Sequence, residues 1–105
     1  MRRKKLVFKS KYFRDLLLGK KITTIRLASN VSVGDVVDVV AGDLRVGTAV
    51  IESIKTKRLD ELTDRDALYD GYDSREELIK DLIKIYGNRI KGNAEVKIIH
   101  FRMLS

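Results

Sequence analysis

Cysteine, proline and tryptophan are absent from the chain, and histidine occurs once, at His100. Without thiols there is no disulfide framework and no thiolate metal site, and one imidazole cannot build a histidine metal cluster. Apolar residues nowhere run to the roughly 20 needed to cross a bilayer as a helix, so no membrane association is expected. The basic start, Met1-Arg-Arg-Lys-Lys-Leu-Val-Phe, reaches Lys9 after three apolar residues and lacks the apolar stretch of a secretory leader. The expected compartment is the cytoplasm. No repeat and no low-complexity run interrupts the chain, so residues 1–105 are expected to form one domain.

What is present fits a folded chain. Hydrophobic residues make up 44% and charged residues 35% of the 105 positions, enough apolar surface to offset the ordering entropy that keeps polar chains unfolded. The 22 Lys and Arg against 15 Asp and Glu leave a net charge of +7. An excess of that size favours polyanionic partners through electrostatic attraction and counterion release. The plainer reading is a charged, solvated surface.

Glycines do the punctuating. Leu6–Phe8 reads as a short strand, and Ser10 is placed to cap a helix whose face carries Phe13, Leu16 and Leu17 until Gly19 closes it. Residues Ile22 to Leu27 alternate as a strand. Val33-Gly34-Asp35 turns into the apolar run Val36–Ala41, and Gly42-Asp43 turns again into Arg45–Lys55, which predicts a β-hairpin. The period then changes. Thr63 is placed to cap a short helix over Asp64–Tyr69 that Asp70-Gly71 ends. Ser74 with Glu77 predicts a capping box for a helix whose face is Leu78, Ile79, Leu82, Ile83 and Tyr86, ending at Gly87. Ala94–Met103 reads as a last strand whose apolar phase slips between Ile98 and Ile99, which predicts a bulge or burial on both faces. The order β-α-β-β-β-α-α-β is that of an α+β fold, a small curled sheet closed by helices.

From about Tyr12 onward these pieces resemble a known family. Gly19-Lys-Lys-Ile-Thr-Thr-Ile-Arg26 after an amphipathic helix, then Val33-Gly-Asp35 opening a strand, is similar to the signature of the ASCH domains. Leu59-Asp-Glu-Leu-Thr-Asp64, Asp70-Gly-Tyr72, Ser74-Arg-Glu-Glu-Leu78 and Tyr86 are similar to that family's second motif region. The resemblance implies a PUA-like small β-barrel closed by helices, with a cleft for RNA or a modified nucleoside. Among small enzymes of this family are N4-acetylcytidine amidohydrolases, in which a Lys of the Gly-x-Lys turn is the base, a Thr three residues on the nucleophile, and a Glu before the second helix the proton donor. Carried over by motif, these roles fall on Lys21, Thr24 and Asp70. Asp70 departs from the pattern, being one methylene shorter than the Glu. Lys20, Arg26 and Tyr72 are the implied substrate- or nucleic-acid-binding residues, and neither metal nor cofactor is implied.

Elementary chemistry allows such a scheme. A threonine hydroxyl needs an adjacent base, and a lysine can serve when desolvation or a nearby cation lowers its pKa. Arg26 or a backbone N–H could stabilise the oxyanion, and an acid must protonate the departing amine. Each residue also has a duller role: Lys20 and Lys21 as solvated turn residues, Thr24 as a strand former, Asp70 as half of a helix stop. Strand parity groups Thr24 with Ile22 and Arg26, so Lys21 joins it only from a turn preceding the strand, while Thr23 falls on the opposite face. His100 reads as a core or surface histidine. The aspartates at 60–73 lack the spacing of a calcium loop and read as helix-start charges. Three functions stay open. They are an amidohydrolase of N4-acetylcytidine or a related acylated cytosine, an RNA-binding module in which Lys20, Lys21 and Arg26 hold phosphate, and an RNA-cleaving enzyme, which ranks lowest for want of an imidazole pair.

Overall fold

The computed structural model describes residues 3–104. Strand β1 (Lys5–Phe8) leads through a 3-10 turn into the short helix α1 (Phe13–Leu17), followed by β2 (Thr23–Arg26), β3 (Val36–Ala41) and the long β4 (Leu44–Arg58). Helices α2 (Asp64–Tyr69) and α3 (Arg75–Tyr86) then precede β5 (Glu95–Met103). The strands form a five-stranded sheet in the order β1-β3-β4-β5-β2, with β1 parallel to β3 and every other pair antiparallel. This is the α+β order read from the sequence, curled into a half-barrel. The Arg26 guanidinium, on one edge strand, donates to the Val7 carbonyl on the other at 2.9 Å, so a side chain links the two edges.

Turn chemistry explains the hairpin. Ala41 pairs with Leu44 across Gly42-Asp43, and Gly42 takes φ 60° with its missing Cβ only 2.9 Å from where Ser10 Cβ sits. A side chain there meets both backbone strain and a clash.

Two cores flank the sheet. One face buries Leu6, Leu16, Val37, Val39, Ile51, Ile99 and Phe101 beneath α1. The other buries Ile25, Val96 and Ile98 against Ala67 of α2 and Leu78 and Leu82 of α3. The apolar slip at Ile98-Ile99 therefore reports burial on both faces of β5. The bulge lies in its neighbour: Ile51 pairs with Phe101 and Ser53 with His100, leaving Glu52 as the extra residue of β4.

Three local expectations need correction. Ser10 does not cap a helix but lies within the 3-10 turn Ser10–Tyr12, whose tighter winding brings Tyr12 N–H to the Lys9 carbonyl. Ser74 caps α3 by accepting from the Glu77 N–H, but Glu77 turns to the Asp73 N–H instead of closing the reciprocal half of the box. Ile83, expected in the core, is half-exposed, because the buried stripe of α3 follows Leu78 and Leu82 and passes to its side. Thr23, expected on the opposite strand face from Thr24, is buried as Thr24 is. Thr63, by contrast, makes the full capping box with Asp66. Among the described residues no helix is long and apolar enough to cross a membrane.

Candidate functional site

Lys21 sits between α1 and β2, outside the strand ladder, as convergence with Thr24 demands. Its N–H and that of Lys20 both donate to the Asp15 carbonyl, and the next N–H, of Ile22, donates to the Tyr69 carbonyl at 2.9 Å. These bonds pin the turn to the end of α2, where Asp70 is the C-cap residue. Gly71, at φ 90°, takes the chain away over the Lys21 stem, where a Cβ on the glycine would stand 3.7 Å from Lys21 Cβ.

Lys21, Thr23, Thr24 and Asp70 are 3–5% exposed, and they are the buried polar side chains of the described residues. Lys21 Nζ lies 3.1 Å from Asp70 Oδ1 and donates to the Asp70 carbonyl at 2.7 Å. Thr23 Oγ1 donates to the same Oδ1 at 3.0 Å. The other threonine is an acceptor, with Arg26 Nε donating to Thr24 Oγ1 at 2.9 Å. Aromatic rings surround the ammonium, with the Tyr12 centroid at 4.7 Å, Phe8 at 5.6 Å and Tyr72 at 5.9 Å. The Tyr12 and Tyr72 hydroxyls share a hydrogen bond of 2.8 Å, and Tyr72 donates to Asp81 on α3.

The low dielectric sets the electrostatics. Burial pushes the Asp70 carboxyl up to about 6, although Lys21, Thr23 and Arg26 all favour its charged form. Burial likewise pulls the Lys21 ammonium down against the opposing attraction of Asp70. Both partners of the ion pair are thus drawn toward their neutral forms by the same loss of water. Burial raises the Tyr72 hydroxyl, and the hydrogen bond to Asp81 raises it further. At Asp81 burial also pushes upward, but the Tyr72 hydrogen bond and the charges of Lys11 and Lys9 outweigh it and hold the carboxyl below the usual carboxylate range.

Lys21, Thr24, Arg26, Asp70 and Tyr72 line one cavity of about 250 Å³, with Phe8, Tyr12 and Tyr86 supplying aromatic wall. Lys20 is exposed and lies outside it. Thr23 was missed by sequence reasoning, and its Asp70 contact depends on which side of β2 meets the end of α2. Asp81 was missed too, although it is three residues after Leu78 and next to Leu82, a charge at the margin of the buried stripe of α3. His100 lines a different groove. No group of acidic or histidine side chains among the described residues is arranged to hold a metal ion.

No family model and no curated relative matches the sequence. Solved structures do match the fold. The ASCH domain of Lactobacillus crispatus JV V101 superposes with a TM-score of 0.80 at 13% identity, over 95% of this chain and 79% of the other. The ASCH protein of Zymomonas mobilis gives 0.71 at 15% identity over 93% of this chain, which spans 65% of the Zymomonas chain's length. A protein of Enterococcus faecalis V583, of family DUF984, gives 0.79 at 11% identity over 99% of this chain and 82% of the other. This chain has the fold of the ASCH domains, the PUA-like architecture that the sequence resemblance implied.

Proposed function

We propose that the protein is an amidohydrolase acting on N4-acetylcytidine or a related acylated cytosine, with Lys21 as base, Thr24 as nucleophile and Asp70 as proton donor. One observation carries the reading: Lys21, Thr24 and Asp70, from three different segments, are all buried polar groups on the wall of one aromatic-lined cavity. Burying ionisable groups is costly even when they are paired, and residues with shifted pKa values gathered in a cleft are a common mark of a reactive site.

Transfer of one proton from Lys21 to Asp70 across their 3.1 Å contact converts the ion pair into an amine base and a carboxylic acid together. The downward shift at Lys21 and the upward shift at Asp70 both lower the cost of that transfer. The amine then takes the Thr24 proton as Oγ1 attacks the acetyl carbon. Arg26, donating to Thr24 Oγ1, favours the developing alkoxide. The C–N bond breaks, Asp70 gives its proton to the departing N4 nitrogen, and the acetyl group is left as an ester on Thr24. Water adds to that ester, its proton returns to the Thr24 oxygen, and acetate leaves. Asp70 is shorter than the family's Glu, and support for its role comes from the Lys21 and Thr23 contacts that hold its carboxylate at the cavity wall.

The cavity is less suited to the phosphate-clamp reading. Lys21 is already paired with Asp70, Arg26 already donates to Val7 and Thr24, and Lys20 lies outside. The test is release of acetate from N4-acetylcytidine by the purified protein. Thr24→Ala and Lys21→Ala should each abolish it, and kcat/KM should fall as pH drops below about 6, where Asp70 takes its proton from solution and can no longer accept the one that makes Lys21 a base. Wild-type protein that releases no acetate ends the proposal, and full activity in Thr24→Ala ends the covalent scheme.

A further inference from the structure

At the cavity, Lys21 and Arg26 are consumed by internal contacts, so the net charge of +7 must be carried elsewhere on the surface as well. A second concavity, of about 590 Å³, lies on the other side of the Thr23–Asp70 contact, between α2 and the face of β4 and β5. Its floor is built by the β4 bulge. Beyond Glu52, the register of β4 pairs Ser53, Lys55 and Lys57 with His100, Ile98 and Val96 of β5, so they share the face that α2 covers. Arg65 and Tyr69 of α2 complete the opposite wall.

The lining holds three cations, Lys55, Lys57 and Arg65, against one carboxylate, Asp66. Asp66 is spent on Lys57 at 2.9 Å and on capping α2. Among the described residues no carboxylate pairs with Lys55 or Arg65, and both are exposed. Tyr69 is 45% exposed at the end of α2, and its backbone is held by Ile22. It presents a ring beside the cations, the combination of charged track and stacking platform on which single strands bind.

We propose that this groove binds the phosphodiester backbone of a single-stranded nucleic acid, with Lys55 and Arg65 meeting phosphates and Tyr69 stacking an unpaired base. The site is separate from the cavity, and the inference does not depend on the amidohydrolase reading. Binding of a labelled oligouridylate, followed by fluorescence anisotropy over a range of salt, tests it. The Lys55→Glu/Arg65→Glu double variant should bind at least about tenfold more weakly and lower the salt slope by about 2, one for each phosphate deprived of its cation. Lys80→Glu/Lys84→Glu on α3 removes the same charge elsewhere and should leave the slope unchanged. Tyr69→Ala should weaken binding with little change in slope, and duplex RNA should bind more weakly than the single strand. Equal weakening in the two double variants, equal affinity for duplex, or equal binding of polyglutamate would each overturn the proposal. Acetate release from the free nucleoside should be unchanged in Lys55→Glu/Arg65→Glu, so the two readings fail separately.

Discussion

Asp70→Asn should make the protein more stable at neutral pH while removing the proposed proton donor. The Asp70 carboxyl rises from 3.8 to about 6 on folding, so desolvation outweighs everything Lys21, Thr23 and Arg26 contribute to the charged form. At about 1.4 kcal/mol per pH unit, the ionised carboxylate costs the fold at most about 3 kcal/mol. A raised folded pKa gives stability that is complete below 3.8 and lost as pH climbs through about 6. Asparagine holds the neutral form at every pH and retains the Oδ1 that accepts from Lys21 and Thr23. Urea unfolding at a series of pH values should therefore show the two proteins converging near pH 4, with the variant gaining up to about 3 kcal/mol by pH 7. A variant less stable than wild type at pH 7 would mean that the Lys21 attraction exceeds the desolvation cost, and the inference of a carboxyl poised to carry a proton would fail. The expected trade of stability against activity is common where a reactive group is held in a strained or desolvated state.

Further outcomes follow from packing. Leu78→Ala, at a fully buried position of α3, should cost about 2–5 kcal/mol, whereas Ile83→Ala on the same helix should cost about 0.5 kcal/mol or less; equal denaturation midpoints for the two would overturn the assignment of the buried stripe. Gly42→Ala should cost at least about 1 kcal/mol from backbone strain, and Ser10→Gly in the same background should recover only the part due to the 2.9 Å contact, as read from thermal melts. Thr23→Val, which keeps shape but removes the donor to Asp70, should raise the Asp70 pKa, so the acid limb of kcat/KM should move to higher pH; an unmoved limb would show that Thr23 has no hold on Asp70.

Where local chemistry decided an element, it could be read in the sequence. The Thr63 and Ser74 caps, the Gly19, Gly71 and Gly87 stops and the Gly42-Asp43 hairpin each depend on residues within a few positions, and each is where the turn signals put it. Phase was harder, because it depends on what lies across the sheet. The adjacent Ile98 and Ile99 both go inward since each face of β5 has its own core, and nothing in β5 alone shows that the accompanying bulge belongs to β4. Ile83 was misplaced for the same reason: a helix can carry more apolar residues than its partner surface can cover.

The site was legible as a set of residues but not as a set of contacts. Parity separated Thr24 from Thr23 and set Thr23 on the opposite face, but parity alone does not show that the end of α2 closes over that side of β2. Once it does, the two threonines divide the work available to them. Thr23 donates to Asp70 and has no free role in attack, while Thr24 accepts from Arg26 and keeps its proton to give away. The cation count was misleading in the same way. Lys20, Lys21 and Arg26 form one run in the sequence, but the turn at Lys21 and the edge position of Arg26 send them to three environments: solvent, a buried ion pair and a bridge between edge strands. Lys55, Lys57 and Arg65 are dispersed along the chain and become neighbours only when α2 folds over β4. The cluster in sequence, read as a set of phosphate-holding cations, is thus dispersed by the fold, whereas the cluster in space forms the groove proposed for a polyanion.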